Sequence, residues 1–229
     1  MTATPTKPRK RVAILISGRG SNMKALVEAA RAPAYPAEIV GVVSNRPDAA
    51  GLAWARAQGL PTRAIDHKAH ATREAFEAAL GAALDEMQAE LVCLAGFMRL
   101  LTGPFVEAWA GRMLNIHPSL LPAFPGLNTH ARVLAAGVRI SGCTVHFVVP
   151  EMDAGPIVAQ AAVAVAADDT PERLAARVLE AEHRLYPLAL RLVSEGTVKM
   201  EGGRVITSGD VYQPDALFSP PLERGFRAT

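Results

Sequence analysis

The chain has 229 residues, of which half are hydrophobic and a fifth are charged, so it can bury the core of one large α/β domain. Its 24 basic and 22 acidic side chains leave a formal net charge of +2, which argues against a nucleic-acid-binding protein. Glycine, proline or charge interrupts every hydrophobic run before the ~20 residues that a transmembrane helix needs, so we expect a soluble protein.

The N-terminal residues and the two cysteines indicate the compartment. Residues 1–10 are expected to form a disordered lead-in, because the apolar run 12–16 that follows is too short for a signal sequence. Cys93 and Cys143 lie far apart in apolar stretches, which favours two free thiols over a disulfide. These features predict a cytoplasmic protein.

The first half of the chain alternates strands with helices. Buried-type apolar runs predict strands at residues 12–16, 38–43 and 91–95, and residues 60–65 offer a further short strand. Helical spacing predicts helices at residues 21–30, 49–58 and 72–88, with Thr72 as the N-cap of the third. Strands that are apolar throughout are typical of a Rossmann-like, doubly wound α/β fold with a mostly parallel sheet and helices on both faces.

The second half is richer in strands. Residues 113–116, 143–149 and 157–165 are predicted strands joined by loops with proline and glycine, so we expect antiparallel strands to join the sheet there. Thr170 is the expected N-cap of a last helix that ends near Tyr186, before Pro187.

The C-terminal segments complete one domain, which is expected to cover residues 11–207. Residues 198–201 and 204–207 flank two glycines and predict a small hairpin. Residues 208–229 are rich in proline and are expected to form a loosely attached tail.

A glycine turn follows the first predicted strand and leads into the first helix. Free backbone N–H groups and a helix N-terminus converge there, and such a turn binds phosphate. It lacks the third glycine of a dinucleotide fingerprint and the Gly-Lys-Ser/Thr ending of a P-loop, which disfavours NAD and ATP. A tight turn with Ser21 as a simple helix cap is an equal alternative. The candidate phosphate ligands are Gly18, Arg19, Gly20, Ser21 and Asn22.

Asn115 and His117 end a predicted strand and open a loop that contains three prolines. Residues two apart on an extended chain point to the same side, and open α/β sheets bind ligands at their strand ends. An amide donor and an imidazole could together hold a developing oxyanion. A satisfied structural pair is the alternative.

Asp153 lies in a loop, residues 150–156, between two predicted strands. A carboxylate beside His117 would orient the ring and favour its charged form, and the pair could move a proton. The alternative is that Glu151 and Asp153 are turn-forming acids. From the residues alone, we therefore predict a phosphate-bearing ligand and acyl-type chemistry.

Other sites are not indicated. No metal is predicted, because the remaining histidines have no metal-ligand spacing and no His-Glu-x-x-His occurs. The absence of a Gly-x-Ser-x-Gly elbow and of a basic stripe with aromatics disfavours a serine hydrolase or an RNA-binding protein. The histidines considered were His67, His70, His130 and His146, while His183 beside Glu182 lies on the last helix.

At these motifs the chain resembles the glycinamide ribonucleotide transformylase family of folate-dependent formyltransferases. The resemblance runs from about residue 11 to about residue 200 and rests on the segments 16–22, 43–46, 94–99, 115–122 and 152–156. It implies transfer of a formyl group from 10-formyltetrahydrofolate, the co-substrate, to the amine of glycinamide ribonucleotide in purine biosynthesis. The implied enzyme is a monomer or homodimer that needs no metal and binds neither nucleic acid nor membrane.

The resemblance also implies roles for individual residues. His117, supported by Asp153, would stabilise the oxyanion together with Asn115, and Asp153 would help to relay a proton. Residues 11–110 would form the phosphate-binding half, and residues 111–207 the folate and catalytic half. Glu182 would join the glycine turn in binding the ribonucleotide. The implied folate-side residues are Arg73, Met98, Arg99, Leu100, Leu101, Val149, Pro150, Glu151 and Met152.

Two departures from the family pattern concern loop detail. Ala154 stands where glycine is frequent, which would matter if that position had a positive φ, and Asn128 stands where histidine is frequent. Related activities remain as alternatives. A methionyl-tRNA formyltransferase would be longer and more basic, a formyltetrahydrofolate hydrolase would carry an extra domain before the first strand, and a non-catalytic phosphosugar- or folate-binding module would not need the three catalytic residues.

Overall fold

A seven-stranded sheet organises residues 8–209, the part of the chain that the computed structural model describes. The strands are β1 (Lys10–Ile16), β2 (Ala37–Ser44), β3 (Thr62–Ala64), β4 (Leu91–Leu94), β5 (Met113–His117), β6 (Ile140–Phe147) and β7 (Ile157–Ala164). Their spatial order is β3-β2-β1-β4-β5-β6-β7; the first five run parallel, and β6 and β7 are antiparallel. The predicted fold class is confirmed.

The helices of the described residues cover this sheet. They are α1 (Ser21–Ala30), α2 (Ala50–Ala57), α3 (Arg73–Glu86), α4 (Gly103–Ala108), α5 (Thr129–Ala135) and α6 (Pro171–Glu195), with a 3₁₀ turn at His67–Ala69. Thr72 caps α3 as predicted, since its side chain accepts a hydrogen bond from the Ala75 N–H. The sequence analysis missed α4 and α5, because six or seven residues are too few to show a helical repeat.

Successive side chains of β1 enter two separate cores. Val12, Ile14 and Ile16 pack in the core on one face of the sheet, whereas Ala13 and Leu15 pack in the core on the other, and all five are fully buried. This follows from the two-residue period of a strand. It also explains why the strand is apolar throughout.

The predicted end of α6 at Tyr186 is wrong. The helix continues through Pro187 to Glu195 and ends at Gly196, whose φ of 79° lies in the left-handed region. A proline inside a helix costs about 3 kcal/mol. Burial of the next turn, including Ala189 and Leu190, offsets that cost at about 25 cal/mol per Å² of apolar surface.

The predicted C-terminal hairpin is confirmed as β8 (Val198–Glu201) paired with β9 (Arg204–Thr207). Cys93 and Cys143 are buried free thiols, as predicted. The lead-in and the tail fall largely on residues 1–7 and 210–229, which lie outside the described residues. Within residues 8–209, no helix is both long enough and apolar enough to cross a membrane.

Candidate active site

A cavity of about 820 Å³ opens at the carboxyl ends of β4 and β5. Ligands bind at this end of the strands in open α/β sheets. Large hydrophobic side chains remain exposed along its wall, namely those of Met98, Leu100, Leu127 and Met152. Such an exposed apolar patch is typical of a ligand-binding site.

The structure gathers the predicted folate-side residues at this cavity, with one exception. Arg73 is the first residue of α3, is exposed, and is not part of the cavity wall. The others all line the cavity: Met98, Arg99, Leu100, Leu101, Val149, Pro150, Glu151 and Met152.

Asn115 and His117 project into the cavity from the end of β5. The antiparallel register places Asn115 opposite His146 of β6, and the amide Nδ2 lies 3.1 Å from His146 Nε2. His146 Nδ1 lies 2.9 Å from the carbonyl oxygen of Phe147, which can only accept a hydrogen bond. Nδ1 therefore carries the proton, and Nε2 accepts from Asn115.

His146 is a site residue that the sequence analysis missed. Burial lowers its pKa, which favours the neutral ring that the Asn115 contact needs. His146 Nε2 accepts one of the two amide hydrogens of Asn115, and the other remains for an oxygen atom in the cavity. Alternation along β6 gives the spacing of its side chains, but only the register with β5 places His146 on the same face as Asn115.

His117 and Asp153 meet as the sequence suggested, although His117 ends β5 and Asp153 lies in the loop between β6 and β7. His117 Nδ1 lies 3.4 Å from Asp153 Oδ2, within ion-pair reach but longer than a good hydrogen bond. His117 Nε2 lies 3.0 Å from the carbonyl oxygen of Phe124. Both ring nitrogens thus face oxygen acceptors, so a doubly protonated ring can donate to both.

Backbone geometry fixes Asp153 in place. Its Oδ2 accepts a hydrogen bond from the Gly126 N–H at 2.8 Å, and its φ is 55°. The left-handed residue of the loop is therefore Asp153 and not Ala154, so the alanine causes no strain there. A Cβ on Gly155 would lie 1.7 Å from the carbonyl oxygen of Phe147, so only glycine fits at that position. Asn128 also has a positive φ, which asparagine tolerates better than most residues.

The glycine turn, residues 18–22, follows β1, and neither its residues nor Glu182 line the cavity. Gly20, with a φ of 68°, is the N-cap of α1, and no side chain caps this helix, so the alternative of Ser21 as the cap is wrong. Asn22 Nδ2 donates to Glu182 Oε2 at 2.7 Å, which brings together residues assigned to the ribonucleotide from opposite ends of the sequence. Burial raises the pKa of Glu182. The Asn22 Oδ1 atom is buried and has no partner within the described residues.

Comparison with known proteins identifies the family. The formyl transferase family model matches residues 10–190. This chain belongs to the formyl transferase family. The chain is 54% identical over 196 residues to the trifunctional purine biosynthetic protein adenosine-3 of Gallus gallus, a match that covers 85% of this chain and 20% of that protein. The chain thus spans about a fifth of the length of this trifunctional relative.

Other relatives of this chain match over nearly their whole length. Phosphoribosylglycinamide formyltransferase of Escherichia coli (strain K12) is 41% identical over 203 residues, which cover 89% of this chain and 96% of that protein. The crystal structure of phosphoribosylglycinamide formyltransferase from Brucella melitensis shares 55% identity and a TM-score of 0.79, and the match covers 87% of this chain and all of that one.

The site brings together an amide, an imidazole and a carboxylate. Asn115 can donate its second amide hydrogen to an oxygen in the cavity, and a protonated His117, held by Asp153 and the Phe124 carbonyl, can stabilise negative charge there through its own positive charge. Within residues 8–209, no group of three or more His, Cys, Asp or Glu residues could hold a metal ion. The chemistry that this arrangement supports best is attack on a carbonyl carbon.

Proposed function

We propose that this formyl transferase moves the formyl group of 10-formyltetrahydrofolate to the amine of glycinamide ribonucleotide, a step of purine biosynthesis, in the cytoplasm. The observation that carries the proposal is the 3.4 Å pair of His117 and Asp153, beside Asn115, in an apolar cavity. The names of the Escherichia coli and Brucella melitensis proteins support the choice of substrate.

The proposed reaction begins when the amine attacks the formyl carbon. A carbon–nitrogen bond forms, and the carbonyl electrons move onto oxygen, where Asn115 and protonated His117 stabilise the negative charge. Asp153 relays a proton from the attacking nitrogen to N10 of the folate. The bond between N10 and the formyl carbon then breaks, giving the N-formyl product and tetrahydrofolate.

We assign the two substrates to opposite sides of this centre. The ribonucleotide would place its phosphate on the turn from Gly18 to Asn22 and its ribose or glycinamide end near Glu182. The folate would lie in the apolar cavity, with residues 149–153 reading the pterin largely through backbone groups. Arg73, which lies outside the cavity wall, could reach only a part of the folate that projects from the cavity.

Residues 11–207 would act as one unit, without a strict division at residue 110. Glu182 of the proposed catalytic half bonds Asn22 of the phosphate-binding half, and Met98 of the phosphate-binding half lines the cavity. We therefore expect both halves to be needed for activity.

A formyl transfer assay tests the proposed function. Purified protein is incubated with 10-formyltetrahydrofolate, and release of tetrahydrofolate is followed with and without glycinamide ribonucleotide. Turnover only in the presence of the ribonucleotide supports the proposal. Equal turnover in its absence would instead identify a hydrolase, and no turnover in either mixture would favour a binding module.

A further inference from the structure

A buried polar chain joins the glycine turn to the cavity wall, and Ser17 is its centre. The Ser17 hydroxyl donates to Asn45 Oδ1 at 2.6 Å and accepts from the Met98 N–H at 2.7 Å. Ser17 is 6% exposed and Asn45 is 3% exposed. The bond to Asn45 is buried and the bond from Met98 is partly buried, and losing a partner away from water is costly.

The position of Ser17 at the end of β1 explains why it can bond to residues that follow both neighbouring strands. It directly follows β1, which lies between β2 and β4, and its own N–H donates to the carbonyl of Gly96 at 3.2 Å. Asn45 directly follows β2, while Gly96 and Met98 follow β4. The residue after Ser17 is Gly18, the first of the proposed phosphate ligands.

A second contact holds the same turn from the side of β2. The Gly51 N–H in the first turn of α2 donates to the Gly18 carbonyl at 3.0 Å. A Cβ on Gly51 would lie 2.4 Å from Ile16 Cδ1 and 3.0 Å from the Gly18 oxygen. The start of α2 therefore packs directly against the turn, and the segment 45–51 supports it from behind.

We propose that Ser17 and Asn45 are positioning residues that fix the distance between the phosphate turn and the folate-side wall. The inference rests on the proposed function, because it requires two substrates whose reacting atoms must meet. Each substrate would still bind its own side if this link were lost. Their mutual placement would loosen, and a misplacement of about 1 Å can cost roughly 10²-fold in rate.

Steady-state kinetics of Ser17→Ala, Ser17→Thr and Asn45→Ala test the proposal. We expect Ser17→Ala and Asn45→Ala each to lower kcat by about tenfold or more, while the KM of each substrate changes less than about threefold. Ser17→Thr keeps the hydroxyl and should restore most of kcat. In the Ser17→Ala/Asn45→Ala double variant, kcat should not fall much below that of the worse single variant, because both remove one shared link.

The matched control is Tyr35→Phe, which removes a hydroxyl that donates to the Pro187 carbonyl, away from the site. Its kcat should equal that of the wild type. All rates are normalised to folded protein by thermal unfolding, and Asn45→Ala serves if Ser17→Ala does not fold. Unchanged kcat in both alanine variants, or a rise in KM alone, would overturn the positioning role. Wild-type protein that fails to formylate the ribonucleotide would instead overturn the proposed function.

Discussion

His117 Nδ1 lies 3.4 Å from Asp153 Oδ2, although His117 ends a central strand and Asp153 lies in the loop that joins the two antiparallel strands. Both side chains are about nine-tenths buried, so the interaction between the imidazole and the carboxylate is much less screened than at the surface. A charged intermediate formed next to this pair would be stabilised without large rearrangement of water.

Asp153→Asn tests the charge of this pair. We expect kcat to fall by about 10²-fold or more, because proton relay and support of the imidazolium are lost, while the affinity for the ribonucleotide is retained. Steady-state kinetics and equilibrium binding of the ribonucleotide measure the two effects. The control is Glu180→Gln, which removes an exposed carboxylate that does not line the cavity. A wild-type kcat in Asp153→Asn would remove this residue from the mechanism.

His146→Leu tests the support of Asn115. The variant removes the acceptor at 3.1 Å from the amide, and we expect kcat to fall by roughly tenfold as the amide loses its fixed orientation. His146→Gln offers a side-chain oxygen as a replacement acceptor and should recover part of the loss. If the leucine and glutamine variants were equally active, the contact with Asn115 would have no part in catalysis.

The same histidine makes stability depend on pH. Burial lowers the pKa of His146, so the unfolded chain binds more protons than the folded one as the pH falls below about 6.5. The free energy of unfolding should therefore be highest above that pH and decline on acidification. Denaturant unfolding at pH 7.5 and pH 5.5 measures the difference, which should shrink in His146→Gln. An unchanged difference would assign the acid sensitivity to other groups.

Glu182→Gln tests the ribonucleotide side. We expect the KM for the ribonucleotide to rise by about tenfold and the KM for the folate to stay the same, because Glu182 contacts Asn22 beside the glycine turn. Glu180→Gln is the matched control, since it removes an exposed carboxylate from the same helix. If only the KM for the folate rose, Glu182 would act on the folate and not, as proposed, on the ribonucleotide.

Exchanging the small residues of the Asp153 loop tests its backbone. Ala154→Gly should leave kcat unchanged and cost at most about 1 kcal/mol of stability, because Ala154 has no positive φ to relieve. Gly155→Ala should lower both kcat and the melting temperature, because its Cβ would meet the Phe147 carbonyl at 1.7 Å. Equal behaviour of the two variants would show that the loop adapts freely.

Local sequence signals were sufficient for most of the sheet and for the central pair of the site. β1 and β4 are apolar because both their faces are buried, while His117 ends a strand, Asp153 follows one, and both line the same cavity. The length of α6 could not be predicted in this way. Pro187 gives a strong local stop signal, and only tertiary burial of the following turn overrides it.

The role of His146 could not be predicted from its own segment, for a different reason. Its contact with Asn115 depends on the register between two antiparallel strands, and a shift of one residue would point it to the other face. The link from Ser17 to Asn45 likewise joins residues that follow different strands. Such contacts depend on strand order, which a single segment does not encode.

The exposed side chains along the cavity wall also affect the thermodynamics of ligand binding. Met98 is 69% exposed and Leu127 is 77% exposed, so this apolar surface is in contact with water until a ligand covers it. Covering it should give a negative heat-capacity change, measurable by calorimetric titration at several temperatures. It should also raise the melting temperature as the ligand concentration increases.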